Sequence, residues 1–188
     1  MRDIYKISTI VLLSITMIIS SCKKEDNIIE GCTDIAALNY LVDATSNNGS
    51  CIYAYDIAQG QWNITPDCEE YDVLDLGLYI INLNDELPAT IDIQGAGDNS
   101  LYIEIDETQV NGTVDNSGNI IVPSQTISLD MGFGPIDIDI EGDGLINTST
   151  TGIINLTYSF DNIQIPNLPI PIPVPISGEI DCAISINR

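Results

Sequence analysis

Ile136-Asp137-Ile138-Asp139-Ile140-Glu141 alternates apolar and acidic side chains without a break. A period of two, with isoleucine at each apolar position, marks a strand with one face buried and one face wet. The same rule governs Leu78-Tyr79-Ile80-Ile81-Asn82 and residues 90–94, 101–105 and 178–184. Turn chemistry separates these runs at Asn84-Asp85, at residues 95–100 and 115–118, at Gly142-Asp143-Gly144 and at residues 147–152. The alternation is read from Tyr53 onward, and no long amphipathic helix interrupts it. About eight or nine short strands predict an all-β domain over residues 54–188, either an antiparallel β-barrel or a β-sandwich. Side chains two apart on one strand face lie about 7 Å apart, too far for one ion to bridge tightly without loop ligands. The acids of residues 136–141 are therefore expected on a solvated outer wall rather than in a cation-binding stripe.

Residues 166–176 depart from this pattern. Pro169, Pro171, Pro173 and Pro175 alternate with Ile170, Ile172, Val174 and Ile176. Residues two apart send their N–H groups to the same lateral side, so the prolines strip one edge of its donors. Such a strand pairs on one side only and resists adding another chain. A projecting loop or edge strand is expected here. A polyproline connector, or a peptide that a partner recognises, is the alternative.

The charge balance removes whole classes of function. The basic residues are Arg2, Lys6, Lys23, Lys24 and Arg188, and there is no histidine. Nucleic-acid binding needs cations for the phosphates, and residues 25–187 supply none. Phosphate-bearing nucleotides are disfavoured on the same ground. Serine and cysteine triads need a histidine or lysine base, and zinc sites favour histidine with cysteine. Catalysis left to this chain would use carboxylates alone, as glycosidases do. With so many acids a carboxylate pair can always be drawn, so no residue is singled out as catalytic, cofactor-binding or metal-ligating.

The first 21 residues have the three parts of an export signal. Arg2 and Lys6 give a positive start, residues 7–19 are largely apolar, and Ser20-Ser21 precede Cys22. The apolar run is shorter than the roughly 20 residues a membrane-spanning helix needs. Ile19-Ser20-Ser21-Cys22 resembles a bacterial lipobox, which implies cleavage before Cys22 and lipidation of that cysteine. Several acyl chains on one residue make a stable anchor, where one chain would be marginal. Lys23-Lys24-Glu25-Asp26 resembles the lysine-plus-acid signal that sends lipoproteins of Bacteroidota to the cell surface. The inner leaflet of the outer membrane is the alternative address. The mature chain keeps 27 acids (28 less Asp3) against Lys23, Lys24 and Arg188, a side-chain net of −24. Salt screens the self-repulsion of such a chain, which suits a saline setting.

Setting Cys22 aside leaves Cys32, Cys51, Cys68 and Cys182. An even set in an exported chain implies two disulfides. Cys32–Cys51 would bracket a short motif and Cys68–Cys182 the larger domain, and this pairing is favoured among the three connectivities.

Residues 22–30 read as a polar tether and residues 31–53 as a stapled motif. Gly31-Cys32-Thr33-Asp34, Asn39-Tyr40, Ala44-Thr45, Gly49-Ser50-Cys51 and Tyr53 resemble a short cysteine repeat of exported Bacteroidota proteins. Asp34 and Asp43 could serve as metal ligands, but Asn47-Asn48 stand where related copies are often acidic, which argues against a calcium loop. The favoured reading is a stapled turn whose Asn and Asp side chains bond to their own backbone.

Gly60-Gln61-Trp62, Cys68, residues 121–125, Gly142-Asp143-Gly144, residues 156–159 and Cys182 resemble the lipocalin-like β-domain of such proteins. The resemblance implies binding rather than catalysis, and a tryptophan that closes one barrel end. Arg188, as the last residue, is expected to fray rather than to cover Trp62 by a cation–π contact. A small barrel either holds one apolar ligand or is filled by its own side chains. The expected function is thus a lipid-anchored, non-catalytic binding or interaction module. Its partner would be a small apolar ligand, a glycan or an envelope protein. A carboxylate-only enzyme acting on polysaccharide and a passive structural coat are the alternatives.

Overall fold

Residues 136–141 form the first half of a twelve-residue strand in the computed structural model, which describes residues 27–73, 80–105, 108–130, 135–146, 148–163 and 175–188. Cys22 and residues 164–174, with most of the alternating prolines, lie outside the described residues. Two short strands, β1 (Glu30–Gly31) and β2 (Ser46–Asn47), pair in parallel within the stapled motif. A five-residue helix, α1 (Ala54–Ala58), follows. Period-two alternation therefore begins at Gly60, not at Tyr53. A helix of five residues is too short to show the 3.6-residue period.

The domain is a closed, up-and-down antiparallel barrel of eight strands, so the barrel holds and the sandwich does not. Its strands are β3 (Gly60–Cys68), β6 (Thr90–Gly97), β7 (Ser100–Ile105), β8 (Thr108–Val114), β9 (Asn119–Asp130), β10 (Pro135–Ile146), β11 (Thr151–Ile163) and β12 (Ile176–Asn187). Each pairs with the next in sequence, and β12 returns to β3 to close the ring. A small ladder of β4 (Tyr71–Asp72) and β5 (Ile80–Ile81) stands between β3 and β6.

Alternation explains the barrel's two faces. In β10, Ile136, Ile138, Ile140 and Ile146 point inward and are buried, while Asp137, Asp139 and Glu141 are exposed. Leu156, Tyr158 and Phe160 of β11, and Ile180, Ile184 and Ile186 of β12, add the same inner parity. Each such side chain contributes about 1.5–3 kcal/mol by leaving water.

Gly142-Asp143-Gly144 is not a turn but the middle of β10, beside a register shift between Ile140 and Gly142. A Cβ at Gly142 would sit 2.0 Å from the Asn155 carbonyl oxygen, and one at Gly144 2.6 Å from that of Ile153. Glycine here permits close approach of β11, which is the other use of glycine inside a strand. The tight turn lies elsewhere, at Asp98 and Asn99. Both have positive φ, 49° and 62°, and they join β6 to β7.

Cys68 and Cys182 are bonded to each other, as are Cys32 and Cys51. Cys68 and Cys182 stand directly opposite across the β3–β12 pair, with both side chains buried. The bond that brackets the domain therefore also closes the ring.

Candidate functional site

Inside the barrel lies an apolar cavity of about 60 Å³. Ile91 and Ile93 of β6, Leu101 and Ile103 of β7, and Val110 of β8 form one side. Ile120 and Val122 of β9, with Ile154 and Leu156 of β11, form the other. Tyr102, Asn111 and Gly112 complete a lining that is otherwise aliphatic, so the space accepts an apolar guest more readily than water. It is far below the roughly 300–1,000 Å³ of a drug-sized site. The remaining interior is packed by Trp62, Tyr158, Phe160 and the inward isoleucines.

The wall beside this cavity is unusual. β8 and β9 pair only at Thr113 with Ile121 and Val114 with Ile120. Beyond that point comes Pro123, which has no N–H to give. The side chain of Gln125 fills the gap. Its Oε1 accepts the Asn111 backbone N–H at 2.9 Å, and its Nε2 donates to the Asn111 carbonyl at 2.8 Å. A primary amide thus takes the place of a strand residue, satisfying a donor and an acceptor that would otherwise lie open.

The two barrel ends are covered differently. At one end, α1 buries Ala54 and Ala58, and Trp62 donates its indole N–H to the Ala58 carbonyl at 2.8 Å. Arg188 does not fray. Its guanidinium carbon lies 3.8 Å from the Trp62 ring centroid, the guanidinium donates to the Ile57 carbonyl, and its backbone N–H reaches Thr150. Arg188 is the only Lys or Arg among the described residues, and it is the tryptophan face that it covers.

At the other end, the chain after β3 folds over the mouth. Ile81 and Leu83 are buried there. Tyr71 meets Phe160 edge-on, with centroids 5.0 Å apart, and occupies space that a Cβ on Gly178 would take. Asn84 clasps Cys68 by accepting its N–H at 2.7 Å and donating to its carbonyl at 3.0 Å.

The outer wall stabilises its acids without cations. Asp139 accepts from Thr126, Asp143 from Asn155 and Asp181 from Thr157, each directly across a strand pair. Ser177 donates to Asp161 within the β11–β12 register shift. Shallow depressions run along this wall, one of them bordered by Asp67, Glu69, Asp143 and Asp181. Neutral donors hold these carboxylates in place.

In the stapled motif, Asp34 accepts the Ala36 N–H at 2.9 Å and the Tyr53 hydroxyl at 2.8 Å. The backbone hydrogen bond first, then the hydroxyl, holds its carboxyl below the usual aspartate range. Asn47 and Asn48 accept from Gly49 and Ser50 two residues on. These are the self-bonded turns of the non-metal alternative, and no group of three His, Cys, Asp or Glu able to hold a metal occurs among the described residues.

Gln125, Asn84 and Tyr71 were not foreseeable as structural clasps, because their partners lie in other strands. No family model matches this chain, and no curated protein or solved structure does either.

Proposed function

We propose that this chain is a bacterial lipoprotein of the Bacteroidota type, anchored through Cys22 to the outer membrane and exposed at the cell surface. Its barrel acts as a non-catalytic binding module for a small apolar ligand. The observation that carries this reading is the largely aliphatic cavity between β6–β8 and β9–β11. The export signal and lipobox of the sequence supply the address.

The enzyme alternative draws no support from the carboxyls. A glycosidase needs an acid whose pKa is raised, and hydrogen bonds hold the Asp34 and Asp115 carboxyls below the usual value.

Native mass spectrometry of the chain exported under oxidising conditions tests the reading. A lipid-modified Cys22 and a co-purified apolar adduct are expected. Filling the cavity with Val110→Ile and Val122→Ile should remove the adduct while the barrel stays folded. An adduct retained after filling, or a bare mass in every preparation, overturns the binding role. Unmodified Cys22 overturns the anchor.

A further inference from the structure

Around the ring, β12–β3 and β8–β9 are diametrically opposite, with four strands on either side. The first contact carries the Cys68–Cys182 bond and six paired positions from Asn63 to Cys68. The second has two paired positions, the Gln125 clasp on Asn111 and a bond from the Thr108 hydroxyl to the Ser128 carbonyl. One side of the ring is thus fixed covalently, and the side facing it is held largely by side chains. The cavity lies directly behind the weak side, since Val110 and Gly112 of β8 and Ile120 and Val122 of β9 border it.

We propose that the cavity is reached sideways, through the β8–β9 contact, with the Gln125 side chain as its latch. The inference rests on the binding reading above and adds the route and the guest. Both barrel ends are covered, one by α1, Trp62 and Arg188 and the other by Ile81, Leu83 and the Asn84 clasp. Opening the wall between β8 and β9 breaks three hydrogen bonds of Gln125 to Asn111, a pairing of two positions and the bond from the Thr108 hydroxyl to the Ser128 carbonyl, whereas opening it at β10–β11 would break a ladder of eight paired positions from Asp139 to Ile146. The polar groups exposed by opening, the Gln125 amide and the Asn111 backbone, are readily solvated.

The guest is the end of a neutral aliphatic chain. A cavity of about 60 Å³ has room for roughly four to six water-sized groups at ~10–15 Å³ each, and largely aliphatic walls leave a polar group inside without a partner. A carboxylate or phosphate headgroup outside would meet acids and, among the described residues, a single cation, Arg188, which is engaged with Trp62 and the Ile57 carbonyl. An alcohol or ester headgroup suits the Gln125 and Asn111 amides at the opening.

The test uses the mature chain labelled at isoleucine methyls, with 1-hexanol as probe. Shifts are expected at Ile91, Ile93, Ile103, Ile120 and Ile154, in exchange between free and bound forms. Gln125→Ala should speed association and dissociation together by about tenfold, the effect of losing one to two net hydrogen bonds, with the equilibrium constant little changed. Gln125→Glu, which keeps the acceptor for the Asn111 N–H and loses the donor, should fall between. Should Gln125→Ala not fold, the Glu variant carries the comparison alone. Methyl shifts with exchange rates unchanged in the folded variants overturn the lateral route and leave the binding reading standing. No methyl shifts in any of the chains overturn both.

Discussion

The guanidinium of Arg188, the last residue, stacks over the ring of Trp62, the only tryptophan, with 3.8 Å between the guanidinium carbon and the ring centroid. Arg188 also donates to the Ile57 carbonyl, so one side chain joins β3, α1 and the end of β12. Arg188→Ala should cost about 1–3 kcal/mol, combining the cation–π contact with a charge-assisted hydrogen bond. Arg188→Lys should recover only part of it, since lysine lacks the planar stacking group. Denaturant unfolding followed by Trp62 fluorescence measures both, and equal stability of all three proteins would show the contact to be idle.

Removing the two disulfides separately should give unequal results. The Cys68–Cys182 loop spans 114 residues and the Cys32–Cys51 loop 19. On the chain-entropy account the losses are roughly 4–5 and 3 kcal/mol. The first should lower the melting temperature of the barrel; the second should loosen only residues 27–53, because Cys32 lies outside the barrel core. Paired Ala variants, melted with Trp62 as reporter, distinguish the two.

Tyr158 is 1 % exposed inside the barrel, and burial pushes its hydroxyl well above the ordinary tyrosine pKa. A tyrosine in the unfolded chain ionises near 10, while Tyr158 in the folded chain stays neutral. Its contribution is therefore intact below about pH 10 and is lost as pH climbs from there toward the folded value. Tyr158→Phe keeps the ring and removes the ionisation, so its stability should fall less steeply in alkali. Parallel alkaline unfolding curves for the two proteins would refute this.

Asp115 behaves oppositely. The Asn119 side chain, with backbone N–H groups of Asn119, Ser117 and Gly118, holds its carboxyl below the usual value. The turn it organises should be intact above the unfolded aspartate pKa and loosen as pH falls through the lower folded one. Amide exchange at Ser117 and Asn119 should rise over that window, and in Asp115→Asn it should not depend on pH there beyond the intrinsic rate.

A formal net charge of −23 predicts a melting temperature that climbs from low salt to seawater-like buffer, because the Debye length shrinks below about 8 Å. Equal melting in both would mean that the cross-strand Thr, Ser and Asn donors already neutralise the strain of the acidic wall.

The parts of this fold legible in the sequence are those set by near neighbours. Alternation at 136–141 and 178–184 reports which side chains are buried, and Asp115 to Gly118 carries its own turn chemistry. Glycine is ambiguous by nature. Gly142 and Gly144 read as a turn because glycine serves turns, yet their role is to let the backbone of β11 approach. The candidate site was least legible. An aliphatic cavity is written in no motif, since its walls are ordinary strand residues from five strands, and its size depends on how they meet. The latch at Gln125 depends on the missing N–H of Pro123 two residues earlier and on Asn111 in another strand. Arg188 was misjudged because a terminal residue usually has nothing to hold it, and here an aromatic ring and a carbonyl do.

The bond between Cys68 and Cys182 also determines how the molecule bears tension. A pull applied between the tether and the last residue enters at β3, crosses the disulfide and leaves through β12. The chain from Glu69 to Asp181 lies off that path and cannot be drawn out while the bond is intact. Within the barrel, only the short lengths of β3 before Cys68 and of β12 after Cys182 can peel, once α1 and the chain before it have given way. A protein held to a cell surface at one end, and seized by something at the other, would yield a few nanometres and then stop with most of its barrel still folded.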